Sequence, residues 1–396
     1  MGVYSEYLQR NLSFPDLTAE RKVQLQRISV LRGKGIIVYA ADQTKNLREI
    51  STIMDYSDIV PFQDQLSLVA GNEIDIIIET PGGIAEVAED IVRITRSRFE
   101  KVGMIVPGWA KSAGTIFVMA GDEILMGATS ALGPIDPQIA FNGKRLPADA
   151  FLEGLTKIKA EVQNMGKLNP AYIPILQNIS PGEIQNCENA KAFSTSLVKQ
   201  WLADYKFKYW DTHSDGRPVT LEDKHNRAEE IAKELCDHSK WLTHGRSIKI
   251  EDLEKMKLKI VDYSKIPDLD DAISRYYALL RLSFDITNMY KIIETVNAQV
   301  MRFAVGGTPV VPGPSPLLNP PPAQTVGSAF VQFKCSRCGQ DSHIQINLEP
   351  NQPLQPGKLP YPIADNKFKC PHCQQEHDLS PLRLQVEAQS GKRVIT

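Results

Sequence analysis

No run of about 18 or more apolar residues occurs in this 396-residue chain, so no segment reads as a membrane-spanning helix. The opening stretch MGVYSEYLQRNLSFPDL lacks the apolar core of a signal peptide. Glu6 stands where a myristoylation motif needs Ser or Thr. A soluble, cytoplasmic protein is therefore expected. Charge of one sign is not in excess either: 45 Lys and Arg face 47 Asp and Glu, a net charge of −2. That argues against a nucleic-acid or membrane-surface partner bound through bulk charge. No G-x-x-x-x-G-K-S/T stretch occurs, so an ATP-driven engine would be a separate chain. Histidine is absent before residue 213, and cysteine is limited to six.

What is present suffices for a large core. The chain is 42% apolar and 23% charged, ordinary for a globular protein. GIIVYA (35–40), EIDIIIE (73–79), GMIVP (103–107) and EILMG (123–127) are short, apolar and mostly β-branched, and are expected to be buried strands. Between the second and third, Ile84, Val87, Ala88, Ile91 and Ile94 recur at helical spacing. Strands alternating with helices predict an α/β architecture with a largely parallel sheet. Residues 150–300 read as mainly helical, with SIKIEDLEKMKLKIVD (247–262) a capped helix followed by a short strand.

The expected domains are an N-terminal helical segment over 1–30, a main domain over 31–300, a linker over 305–326 and a small module over 327–396. The linker assignment rests on seven prolines between 309 and 322.

Three short motifs carry candidate chemistry. ETPGGIAEV (79–87) ends a strand in Pro81-Gly82-Gly83 and opens a helix, leaving backbone N–H groups free to approach an anion. GWAKSAG (108–114) places Ser112 at the equivalent point of the next strand-helix unit, and SALGPIDPQI (130–139) delivers Asp136 after the strand that follows. Singly, each reads as an ordinary turn or helix cap. Together, in this order and spacing, PGG, SAG and GPIDPQ resemble the Clp-type and signal-peptide-peptidase serine peptidases. GPIDPQ is most similar to their serine dehydrogenase proteinase branch. The resemblance spans roughly residues 30–265. It implies the Clp/crotonase-like ββα superhelix, a serine endopeptidase acting on polypeptides, and assembly into a homo-oligomer. It also implies Ser112 as nucleophile, with the backbone N–H groups of Gly83 and Ala113 as the oxyanion hole.

A serine hydroxyl needs a base. Clp-type relatives carry a histidine where this chain has Asp136. The Ser, Asp, His order of the serine dehydrogenase proteinase branch points instead to His244, in KWLTHGRSIKIEDLEKMKLKIVD, as base, with Asp136 orienting it. His213, His225 and His238 lie in polar sequence and rank below it. The rival is a Ser112–Lys157 dyad of the signal-peptide-peptidase kind, in which burial lowers the lysine pKa. Two further readings remain: an acyl-CoA enzyme on the same superhelix, and a catalytically silent scaffold.

Cys335, Cys338, Cys370 and Cys373 form two C-x-x-C knuckles that resemble a zinc ribbon. Four thiolates close a tetrahedral shell and leave no open position, so the expected cofactor is structural Zn²⁺. The expected role of the ribbon is contact with a protein partner.

Overall fold

The computed structural model describes residues 2–10, 12–45, 50–141, 144–304, 328–380, 382–383, 386 and 393–395. The chain forms two compact units, Met1–Thr308 and Pro309–Thr396. The proline-rich linker expected over 305–326 lies outside the described residues.

Seven strands of the first unit form one sheet: β1 (Gly35–Ala41), β2 (Glu73–Glu79), β3 (Lys101–Val106), β4 (Glu123–Met126), β5 (Val261–Asp262), β6 (Met289–Thr295) and β7 (Gln299–Phe303). Their spatial order is β7-β6-β1-β2-β3-β4-β5. β1 to β5 are parallel, whereas β6 and β7 close one edge as an antiparallel pair. The helices that position the site are α1 (Phe14–Arg32), α2 (Ile59–Ser67), α3 (Ala85–Arg96), α4 (Ala113–Val118), α5 (Ala148–Met165), α6 (Pro181–Trp201), α7 (Leu221–Cys236), α8 (His238–Trp241) and α9 (Pro267–Asp285).

The near-continuous apolar strands reflect burial on both faces. Side chains alternate across a strand, so one register row, Ile37, Ile76, Met104 and Ile124, packs with α2, α3, α4 and α7. The neighbouring row, Val38, Ile77, Ile105 and Leu125, packs with α1 and α9. The N-terminal helical segment is thus built into the core, with Leu25 and Ile28 of α1 fully buried. Arg21 of α1 bonds Glu294 of β6 at 3.0 Å where both side chains are fully buried. The region up to residue 300 is less helical than its composition suggests. MYKIIET is alternately packed on both faces of the sheet as β6, so tertiary burial decides its state.

A second, smaller layer of pairings lies beyond the carboxyl ends of β2, β3 and β4. Thr80 bridges Ala110, Trp109–Ala110 pairs in parallel with Ala131–Leu132, and Leu132 bridges Ile248. Each unit therefore runs strand, second-layer segment, helix, in the manner of a ββα superhelix. Four chain segments emerge side by side from this layer, and they carry the candidate site.

In the second unit, Ser328–Lys334 and Asp341–Asn347 pair antiparallel, as do Lys367–Lys369 and Glu376–Asp378. A small core around Ile344, Ile346, Tyr361 and Phe368 supports them.

Candidate active site

Ser112 lies two residues beyond the second-layer segment Trp109–Ala110 and directly precedes α4. Its backbone lies at φ 51°, ψ −119°, a conformation that costs a non-glycine residue on the order of 1–3 kcal/mol. Its side chain makes no capping hydrogen bond to α4, so the helix is not what the hydroxyl serves.

The diglycine turn lies directly against it. A Cβ on Gly82 would fall 2.7 Å from both Lys111 O and Ser112 Cβ. Gly83, at φ 154°, leaves room for Met54, whose backbone atoms would lie as close as 2.2 Å to an added Cβ. Met54 is knitted to the turn: its N–H donates to Gly82 O at 2.8 Å and its carbonyl accepts from Ile84 N at 3.0 Å. The Met54 segment is anchored from below by Lys291. That buried ammonium donates to Ile53 O at 2.8 Å and to both Asp58 carboxylate oxygens. Held this way, the N–H groups of Gly83 and Ala113 donate to no acceptor among the described residues.

Asp136 is fully buried, and its carboxylate is held by three donors. His244 Nδ1 lies 2.7 Å from Oδ1; His238 Nδ1 lies 3.0 Å from Oδ2, and Gln138 Nε2 donates to Oδ2 at 3.1 Å. Ile135 N donates to Leu235 O at 3.0 Å, stitching the Asp136 loop to the end of α7. Thr115 of α4 bonds Ala110 O and Gly133 O, tying the Ser112 turn to the same loop.

Lys111 links the remaining segment. Its ammonium donates to Leu132 O (2.9 Å), Arg246 O (3.0 Å) and Ser247 Oγ (3.1 Å). Partial burial, with Lys249 nearby, lowers its pKa to about 8. The His244–Ile248 segment is thereby fastened beside the Ser112 turn through Arg246 and Ser247. No hydrogen bond joins the Ser112 hydroxyl to a histidine among the described residues. Catalytic contacts of this kind commonly tighten only when substrate is bound.

His238, read from the sequence as lying in a polar stretch, turns inward instead and meets Asp136. The signal available was its place directly after the apolar face of α7, which fixes it in space despite polar neighbours. His213 packs instead against Trp210 and Asp223. Lys157 projects from α5 with its side chain 81% exposed, near Glu153. It lacks the burial that a dyad lysine relies on to favour its neutral, proton-accepting amine.

Glu79, at the end of β2 and ahead of the diglycine turn, is fully buried and accepts from Trp109 N and Tyr277 Oη, each at 3.0 Å. Burial raises its pKa from 4.5 to about 7.

The four knuckle cysteines converge in the second unit, with their sulfurs all within 4.8 Å of one another. Both knuckles turn alike. Cys335 N bonds Gln340 O and Gly339 N bonds Cys335 O, while Cys370 N bonds Gln375 O and Gln374 N bonds Cys370 O. The backbone N–H of Cys338 favours the Cys335 thiolate, and His377 Nε2 lies 3.2 Å from that sulfur. Four sulfur donors with no carboxylate among them fit a soft, tetrahedral metal ion.

Comparison with known proteins gives this geometry a context. Two uncharacterized proteins of Methanocaldococcus jannaschii are 30% and 27% identical over 187 residues, 47% of this chain in each case. The chain spans about half the length of these curated relatives, 51% and 53%. Among solved structures, a mutant of the 1510-N membrane-bound stomatin-specific protease matches with a TM-score of 0.32 at 15% identity, over 54% of this chain and 78% of that one. ClpP1 from Listeria monocytogenes matches with a TM-score of 0.30 at 11% identity, over 57% and 91%. Residues 52–207, with Ser112, Asp136 and the diglycine turn among them, match the family of ClpP-like SDH-type serine proteinases.

Proposed function

We propose that this protein is a serine endopeptidase that cleaves polypeptides through an acyl-enzyme on Ser112. The observation that carries this reading is the meeting of a strained serine, free of any capping role, with a diglycine turn and unpaired main-chain amides. Ser112 Oγ adds to the substrate carbonyl carbon as its proton passes to His244 Nε2. Asp136, bonded to His244 Nδ1, holds the ring in the tautomer that leaves Nε2 free to accept. The carbonyl electron pair moves to oxygen, where the N–H groups of Gly83 and Ala113 receive it. The C–N bond then breaks, His244 returns the proton to the leaving amine, and an ester remains on Ser112. Water, deprotonated by His244, releases the acid by the same steps in reverse.

His244 is favoured over Lys157 because it is bonded to a buried carboxylate, whereas Lys157 is solvated. The second unit would hold structural Zn²⁺ on Cys335, Cys338, Cys370 and Cys373, and contact a protein partner. Exposed apolar side chains support assembly into a homo-oligomer, among them Val60, Met165, Leu168, Ile173 and Ile175.

The test is hydrolysis of an unfolded polypeptide such as casein by the purified full chain. Activity should disappear in Ser112→Ala and His244→Ala and persist in Lys157→Ala. Cleavage retained in Ser112→Ala contradicts the proposal.

A further inference from the structure

A buried carboxylate with two imidazoles on it is more than a triad needs. Among the described residues Asp136 has no Lys or Arg partner, and its carboxylate is held by His244 on Oδ1 with His238 and Gln138 on Oδ2. An aspartate side chain rotates about its terminal torsion in a broad, roughly two-fold well. Held on Oδ2 by the single Gln138 amide, the carboxylate could swing and carry His244 with it.

His238 comes from a rigid place. It opens α8, whose N-cap Asp237 accepts from Lys240 N, and it directly follows the buried face of α7 formed by Ile231, Ala232 and Leu235. Leu235 O in turn accepts from Ile135 N, the residue before Asp136. The two ends of the His238–Asp136 bond are thus held by one short backbone link. His244, by contrast, lies in the segment that Lys111 ties to the Ser112 turn. The two rings therefore have separate anchors, one toward α7 and one toward the serine.

From this arrangement we infer that His238 is a positioning residue for the peptidase reaction: its Nδ1–H locks the Asp136 carboxylate through Oδ2, so that Oδ1 stays aimed at His244. The inference rests on the Ser112–His244–Asp136 reading. Among the described residues no hydrogen bond links His238 to Ser112.

Asn places an N–H near the position of a histidine Nδ1, whereas Gln places its donor near that of Nε2. The test compares fluorophosphonate labelling rates of the full-length wild type, His238→Ala, His238→Asn and His238→Gln, with thermal unfolding as the folding control. His238→Ala and His238→Gln should label about 10- to 100-fold more slowly, the usual cost of misplacing a catalytic group. His238→Asn should recover to within about 3-fold of wild type, a partial loss expected of a shifted donor. Equal loss in all three variants would mean that His238 only fills space, and full-rate labelling of His238→Ala would mean that it does nothing. Loss in His238→Ala with retention in His244→Ala would make His238 the base. Each of these overturns the inference. Failure of the nucleophile reading is separately visible as undiminished labelling of Ser112→Ala. A measurement independent of activity uses ¹⁵N-histidine-labelled protein. Two low-field Nδ1 protons should both vanish in Asp136→Ala, and in His238→Ala the survivor should shift. An unshifted His244 signal in His238→Ala overturns the locking role.

Discussion

Gly82 and Ser112 are packed so closely that a methyl group on the glycine would lie 2.7 Å from the serine Cβ. The same methyl would meet Lys111 O at that distance, and Gly82 already occupies φ 104°. Gly82→Ala should therefore push the diglycine turn away from the serine. Fluorophosphonate labelling of this variant should fall by about 100-fold, as for loss of an oxyanion donor. Labelling at the wild-type rate would show that the two turns need not touch.

Strain at Ser112 makes an opposite prediction for stability. Glycine adopts φ 51°, ψ −119° without the side-chain clash, and serves as a helix N-cap nearly as well as serine. Ser112→Gly should be inactive yet more stable, by about 1 kcal/mol once the greater chain entropy of glycine is offset. Denaturant unfolding of the two proteins at one pH checks this. A less stable variant would mean that the serine side chain contributes packing that outweighs its backbone cost.

Much of this site was legible in the sequence because it follows from strand ends. PGG, Ser112 and Asp136 each come just after a buried apolar strand or its second-layer extension, and a parallel sheet must bring such ends to one edge. The return of residues 244–248 has no signal in the residues themselves, and His244 is reached only through the family resemblance. The return depends on Lys111 reaching Arg246 O and Ser247 Oγ and on Leu132 pairing with Ile248, contacts with no local pattern. β6 and β7 were hidden for a related reason. MYKIIET and QVMRF are short apolar runs whose state is decided by the open edge of β1. His238 was obscured by polar neighbours, although its ring turns inward to Asp136.

Glu79 gives a prediction in pH. Its folded pKa of about 7 lies above the ordinary 4.5, so the folded protein keeps a proton that the unfolded chain has released. The stability associated with that proton is full below pH 4.5 and is lost as pH rises toward 7. Above that the loss is constant, at up to about 3 kcal/mol. Glu79→Gln removes the buried charge and retains an acceptor for Trp109 N or Tyr277 Oη. The variant should be more stable than wild type at pH 8 and close to it at pH 4.5, by denaturant unfolding at both values. A variant destabilised equally at both would show that the carboxylate is needed for its hydrogen bonds.

The cysteine cluster predicts a metal-dependent fold for the second unit alone. Full-length protein should purify with zinc in equimolar amount, and Cys370→Ser should lose it because a four-sulfur shell is broken. Chelation should make residues 328–380 sensitive to protease while the first unit stays resistant. Zinc-free protein with an intact second unit would remove the metal from this account.

The most direct test of the central claim is to map the fluorophosphonate adduct by mass spectrometry. The account predicts a single phosphonylated site, at Ser112, absent from Ser112→Ala and strongly reduced in His244→Ala. A wild-type protein that takes no adduct at Ser112, or one whose adduct survives Ser112→Ala, would contradict it.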